Sequence, residues 1–151
     1  KWGLPYAEDH MQPAIQREQS YILAFAVLTI IAWQTEIGTV VYDHETARGE
    51  AVLTFPIANS EQRGVAFIPQ LAGNRTNRGV FYGLWVEPDG SGAPACDFAI
   101  TDPETNTPRQ TWGRIQMTFV DPGVPSSWVL RRGYCFDDYS EFLIGRPVGG
   151  R

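Results

Sequence analysis

Short apolar segments rich in β-branched and aromatic residues recur along this chain, separated by polar stretches that contain Gly, Pro, Asn and Asp. The clearest example follows Trp112, where Ile115, Met117 and Phe119 are apolar and the positions between them are polar. A period of two places alternate side chains on opposite faces of a strand. No helical segments alternate with these strands, as a parallel sheet would require. The pattern therefore predicts an all-β fold, a single antiparallel β-barrel or β-sandwich of about eight to nine strands.

The predicted elements divide the chain into three parts. Residues 1–20 form an N-terminal extension with a short helix starting near Pro13, residues 21–145 form the β-domain, and residues 146–151 form a flexible tail. The apolar run at residues 21–33 is shorter than the roughly 18 residues that a membrane-spanning helix needs, so we expect a buried, bent strand and no membrane span. The other strands are expected at residues 37–42, 50–57, 64–69, 79–87, 96–101, 112–120, 128–136 and 140–144.

Composition limits the classes of partner. The chain has 151 residues, the size of one domain, with 43% apolar and 19% charged residues. Its net charge of −5 opposes binding to phosphate backbones, which needs a dense field of Lys and Arg, so no nucleic-acid partner is expected. No metal-ligand spacing and no cofactor motif occurs, and we expect neither a metal nor a cofactor.

Two cysteines, Cys96 and Cys135, flank the most loop-rich part of the sequence, and both fall on predicted strands. We predict a disulfide between them, which would close a loop of about 39 residues and stabilise the fold by up to about 4 kcal/mol. A pair of buried free thiols is the alternative. Because disulfides persist in oxidising compartments, the prediction implies a secreted or periplasmic protein.

Catalytic signals are weak. No nucleophile elbow, nucleotide-binding glycine motif or zinc-protease motif occurs. Acid–base chemistry has two candidate groups: His44 with its neighbour Asp43, and the adjacent Asp137 and Asp138 near Glu141. The alternative for the first is an exposed hairpin tip. The alternative for the second is a solvated turn, or ion pairs with the arginines of the preceding strand.

Tryptophans and arginines supply a candidate binding site. A cavity lined by Trp rings and one or two guanidinium groups suits an amphipathic or anionic small molecule, although large aromatics also fill the cores of small β-proteins. The predicted ligand-binding residues are Trp85, Trp112, Arg114, Trp128 and Arg131.

Three functional hypotheses follow. The preferred one is a non-catalytic extracytoplasmic β-domain that binds a small molecule, a glycan or a partner protein. The alternatives are a small barrel enzyme of hydrolase or isomerase type, and a structural or assembly module whose sheet face or edge is completed by another copy, as in a homo-oligomer, or by a partner. Ligand-binding barrels of the lipocalin and avidin kind share this strand cadence, but no signature of either is present and the comparison concerns architecture alone.

Overall fold

A computed structural model of the protein describes residues 30–73, 79–121 and 125–149. These residues contain no helix and form a closed antiparallel barrel of eight strands, which confirms the all-β prediction and identifies the barrel as the architecture. The helix predicted within residues 1–20 and most of the strand predicted at 21–33 lie outside the described residues. Within the described part of the chain, no helix is long and apolar enough to cross a bilayer.

The described residues form ten strands. Their bounds are β1 (Ile31–Thr35), β2 (Gly38–Glu45), β3 (Ala51–Pro56), β4 (Arg63–Ile68), β5 (Val80–Val86), β6 (Ile100–Thr101), β7 (Pro108–Arg109), β8 (Trp112–Phe119), β9 (Trp128–Arg132) and β10 (Glu141–Pro147). The last strand extends three residues past the predicted end at residue 144 and into the predicted tail. The second strand also outlasts its prediction, because a bulge at Asp43 lets its pairing with β3 continue to Glu45.

The barrel is a meander in the order β1-β2-β3-β4-β5-β8-β9-β10, and β10 closes it against β1. Strands β6 and β7 form a separate two-stranded sheet inside residues 87–111, here called the excursion. We call the rim where β1, β3, β5 and β9 end the mouth. Strand β1 begins and β10 ends at the opposite rim, where the Val148 N–H donates to the Ala32 carbonyl at 3.0 Å.

Alternate side chains of the barrel strands fill its interior. In β8, Ile115, Met117 and Phe119 are buried and the polar positions between them are half-buried, as the alternation predicts. Two glycines allow neighbouring groups to approach the backbone more closely than a side chain would permit. A Cβ at Gly145 would lie 2.2 Å from Cε2 of Trp128, and a Cβ at Gly113 would lie 1.8 Å from the Gly133 carbonyl oxygen. Only glycine permits such close packing.

The excursion packs against the outer wall formed by β3, β4, β5 and β8. The second apolar cluster, between wall and excursion, contains Val52, Phe67, Val86, Cys96 and Trp112. Cys96 and Cys135 form the predicted disulfide, with their Cα atoms 5.6 Å apart.

The prediction that both cysteines lie on strands was wrong. The Cys96 N–H donates to the Gln110 carbonyl, but regular pairing begins only at Ile100. Strand β9 ends at Arg132, and Cys135, with a left-handed φ of 51°, forms an isolated bridge to Gly113 and no continuous ladder.

Candidate functional site

The mouth of the barrel holds a pocket of about 530 Å³. Its walls come from the β1–β2 turn, the end of β3 with the loop after it, the start of the excursion and the segment after β9. The lining residues are Glu36, Ile37, Pro56, Ile57, Ala58, Glu87, Ser91, Gly92, Ala93, Pro94, Arg132 and Tyr134. The pocket therefore combines apolar walls with a small polar group, an arrangement typical of ligand sites at barrel mouths.

Arg132 forms the floor of this pocket. It occupies an inward position on β9, and its side chain is 14% exposed. Its Nε donates to Glu141, and a terminal nitrogen lies 3.5 Å from a carboxylate oxygen of Glu87. The guanidinium also lies over the rings of Trp85 and Phe55, at 5.1 and 5.5 Å from their centroids. Two carboxylates thus compensate the charge, and two rings cover the apolar faces of the group.

The two glutamates around Arg132 are themselves hydrogen-bonded. Ser91 donates to Glu87 at 2.6 Å, and the Tyr134 hydroxyl donates to Glu141. Burial alone would raise the pKa of Glu141, but the bonds from Tyr134 and Arg132 outweigh it and the pKa lies below its ordinary value. Burial, with the bond to Glu141, raises the pKa of Tyr134. At neutral pH the pair therefore consists of a carboxylate and a neutral phenol.

Beneath Arg132, the barrel interior contains an apolar cavity of only about 20 Å³. Trp85, Trp128 and Leu143 are among the side chains that line it, and Arg132 lines both this cavity and the mouth pocket. Such a volume accommodates about one water molecule. A small-molecule ligand therefore has room at the mouth and none in the core.

The predicted ligand-binding residues are distributed over three environments. Trp85 and Trp128 are fully buried inside the barrel, whereas Trp112 lies outside the wall under the excursion and donates to the Phe98 carbonyl at 2.7 Å. Arg114 and Arg131 lie on the outer surface, where both guanidinium groups contact the ring of Tyr139, at 5.4 and 5.0 Å. The structure does not bring these five residues into one cavity.

Arg131 belongs to a part of the wall that the excursion does not cover. Across β5, β8, β9 and β10, the register aligns Tyr82, Gln116, Arg131 and Phe142 in one row on the outer face. Tyr82 and Phe142 are 61% and 63% exposed. We call this region the bare wall.

The weak catalytic candidates lie apart from the mouth. His44 is 43% exposed and lies between two carboxylates, with Nδ1 2.6 Å from Asp43 and Nε2 2.7 Å from Glu104 of the excursion. Asp137 and Asp138 are exposed on the segment after β9, beside the disulfide. Asp137 helps to line a smaller recess of about 330 Å³ there. Among the residues that the structure describes, no three His, Cys, Asp or Glu side chains are grouped so as to hold a metal ion.

The residues that build the mouth were mostly missed from the sequence. The sequence indicated ion pairs between the acidic group that contains Glu141 and the arginines of the preceding strand, and the Arg132–Glu141 pair is confirmed. The alternation in WVLRR indicates an inward side chain for Arg132, because it places Arg132 on the same face as Trp128 and Leu130. Glu87 and Ser91 carried no signal, because their approach to Arg132 depends on how the excursion leaves β5.

Comparisons with protein-family models, curated proteins and solved structures find no match to this chain. The functional interpretation of the mouth consequently depends on its own geometry and chemistry.

Proposed function

We propose that this protein is a non-catalytic, extracytoplasmic β-barrel that binds a small molecule at its mouth. The observation that carries the proposal is the pocket of about 530 Å³ above the Arg132 floor. Its size falls within the range of about 300 to 1,000 Å³ common to small-molecule sites. A barrel strand holds the floor, and four separate connections supply the walls.

The protonation states of the polar cluster argue for binding and against acid–base catalysis. Glu141 is held ionised by its hydrogen bonds, and Tyr134 is held neutral. A general acid or base works best when its pKa lies near the operating pH, and these two shifts move both groups away from neutrality. Arg132 is occupied by Glu87 and Glu141 and serves as a structural floor.

The proposed location outside the cytoplasm is supported by the Cys96–Cys135 disulfide. Glutathione and thioredoxin keep most cytosolic thiols reduced, so a buried structural disulfide is typical of proteins that fold in an oxidising compartment.

A fragment screen followed by two-dimensional amide NMR tests the binding proposal. Ligands should shift the amide signals of Ile37, Ile57 and Ala93, which line the pocket. Ala58→Trp should fill the pocket and weaken binding at least about tenfold. Ala47→Trp is the matched control, because Ala47 is also exposed in a turn but lies at the opposite rim. The proposal is refuted if no fragment shifts these amides, or if both tryptophan variants bind equally well.

A further inference from the structure

The charges around the mouth restrict the kind of molecule that the proposed pocket can take. Glu36 and Glu87 line the pocket, and Glu141 lies directly on the guanidinium of its floor. Arg132 is the cation of this group, so carboxylates outnumber guanidinium groups three to one. The potential inside a recess with apolar walls is strengthened by the low local dielectric, and here its sign is negative.

Arg132 is poorly suited to anchor an anionic ligand. Its Nε donates to Glu141, a terminal nitrogen lies 3.5 Å from Glu87, and its flat faces lie on Trp85 and Phe55. Two carboxylates already balance its single charge, and a ligand carboxylate would be repelled by both of them and by Glu36. Of the amphipathic or anionic ligand that the tryptophan and arginine pattern suggested, the anionic alternative therefore does not suit this pocket.

Glu36 is the acceptor best placed for a ligand. It is exposed in the β1–β2 turn, and its Oε2 accepts a long bond of 3.3 Å from the Ile144 N–H. A carboxylate has about four acceptor positions, so this contact leaves most of its capacity open. The adjacent apolar walls come from Ile37, Pro56, Ile57 and Pro94.

We infer that the ligand is an organic cation, an ammonium or guanidinium group on an apolar stem, with its charge bound by Glu36 and its stem against the apolar wall. The inference depends on the proposed function of the mouth. It assigns Glu36 as the residue that selects for charge, while Glu87 and Glu141 add to the field and hold the floor.

Three probes with one skeleton test this assignment: 3-phenylpropylamine, 3-phenylpropan-1-ol and 3-phenylpropionate. In amide NMR titrations at pH 7, the amine should shift the signals of Ile37, Ile57 and Ala93. Its Kd should be at least about tenfold lower than that of the alcohol, which corresponds to one ion pair at intermediate dielectric. The acid should bind more weakly than the alcohol. High salt should weaken the binding of the amine alone.

Glu36→Gln should raise the Kd of the amine about five- to tenfold and leave that of the alcohol unchanged. Glu61→Gln is the matched control, because Glu61 is exposed on the same rim but does not line the pocket. Equal or tighter mouth binding of the alcohol or the acid would overturn the charge inference and leave the pocket function intact. An unchanged amine affinity in Glu36→Gln would remove the role of Glu36. If none of the three probes shifts a mouth amide, the inference fails, and the fragment screen with Ala58→Trp decides the function separately.

Discussion

Arg132 is a cation at the end of an otherwise apolar barrel interior, and its neighbours explain why that position is tolerated. Desolvating a guanidinium costs several kcal/mol unless charges and hydrogen bonds compensate it. Glu87 and Glu141 provide that compensation, and Trp85 and Phe55 cover the faces of the group. Removing Arg132 would leave two carboxylates without their cation, and removing either glutamate would leave the guanidinium with a single partner. For this reason the tests above change Glu36 and Ala58, which are exposed, and leave the floor intact.

Also at the residue scale, the pKa of His44 should lie above the ordinary value for a histidine. The hydrogen bond to Glu104 is the larger cause of its raised pKa, and the bond to Asp43 is the next. Because the folded pKa exceeds the unfolded value of 6.5, the contribution of His44 to stability is complete below pH 6.5 and disappears as the pH rises through the folded pKa. We expect an NMR titration of the imidazole to show a midpoint above 6.5.

Three variants check the cause of that shift. Glu104→Gln should lower the His44 pKa more than Asp43→Asn does. Glu45→Gln should change it little, because Glu45 is a nearby carboxylate whose hydrogen bond is to the Tyr42 hydroxyl. A midpoint at or below 6.5 in the unaltered protein would contradict the geometry of the contact between β2 and the excursion.

At the scale of elements, the excursion is held to the barrel by few regular backbone bonds. The sheet within the excursion contains two residue pairs, Ile100 with Arg109 and Thr101 with Pro108. Its attachments to the barrel include the disulfide, the apolar cluster around Trp112 with the Trp112–Phe98 hydrogen bond, and the contact of Glu104 with His44. The start of this same segment lines the mouth through Ser91, Ala93 and Pro94. The shape of the pocket therefore depends on how firmly the excursion is anchored.

Replacing both cysteines by alanine should lower the free energy of unfolding by up to about 4 kcal/mol, because the bond closes a loop of 39 residues in the unfolded chain. Urea unfolding followed by tryptophan fluorescence measures the change. Reducing the unaltered protein should have a similar effect, and the same reductant should not affect the double variant. Equal urea midpoints for the oxidised protein and the variant would show that the disulfide does not stabilise the fold.

The strands of the barrel were predictable because their pattern has a short period, and the site was less so because it depends on contacts distant in sequence. In β5, apolar residues lie on both faces; the inner face is covered, but on the outer face Tyr82 is exposed while Val86 lies under the excursion. Nothing near Val86 in the sequence indicates where the excursion will lie. For the same reason, Trp112 and Trp85 were both predicted to line one cavity, but Trp112 lies outside the barrel wall.

On the scale of the whole molecule, closure gives each of the eight barrel strands two neighbours, so none of them is an edge strand open to pairing with another chain. An assembly role through an unpaired edge therefore has no support among the barrel strands. The closing pair is also the shortest. Two residue pairs join β1 to β10, against seven between β5 and β8, and Pro147 in that closing pair has no N–H to donate.

We expect the barrel to open first at this closing pair. Native-state hydrogen exchange should give the amides of Gln34 and Arg146 lower protection than that of Met117, which lies in the middle of the long β5–β8 pairing. Equal protection of the two regions would mean that the barrel unfolds as a single unit.

The polypeptide enters β1 and leaves β10 at one rim, while the pocket faces out of the other. A tether, a fusion partner or a solid support joined through either of those two ends would hold the barrel by its base, with its opening directed away from the attachment. The architecture thus separates anchorage from access, and many copies could be displayed on one surface with every opening still free to sample the surrounding fluid.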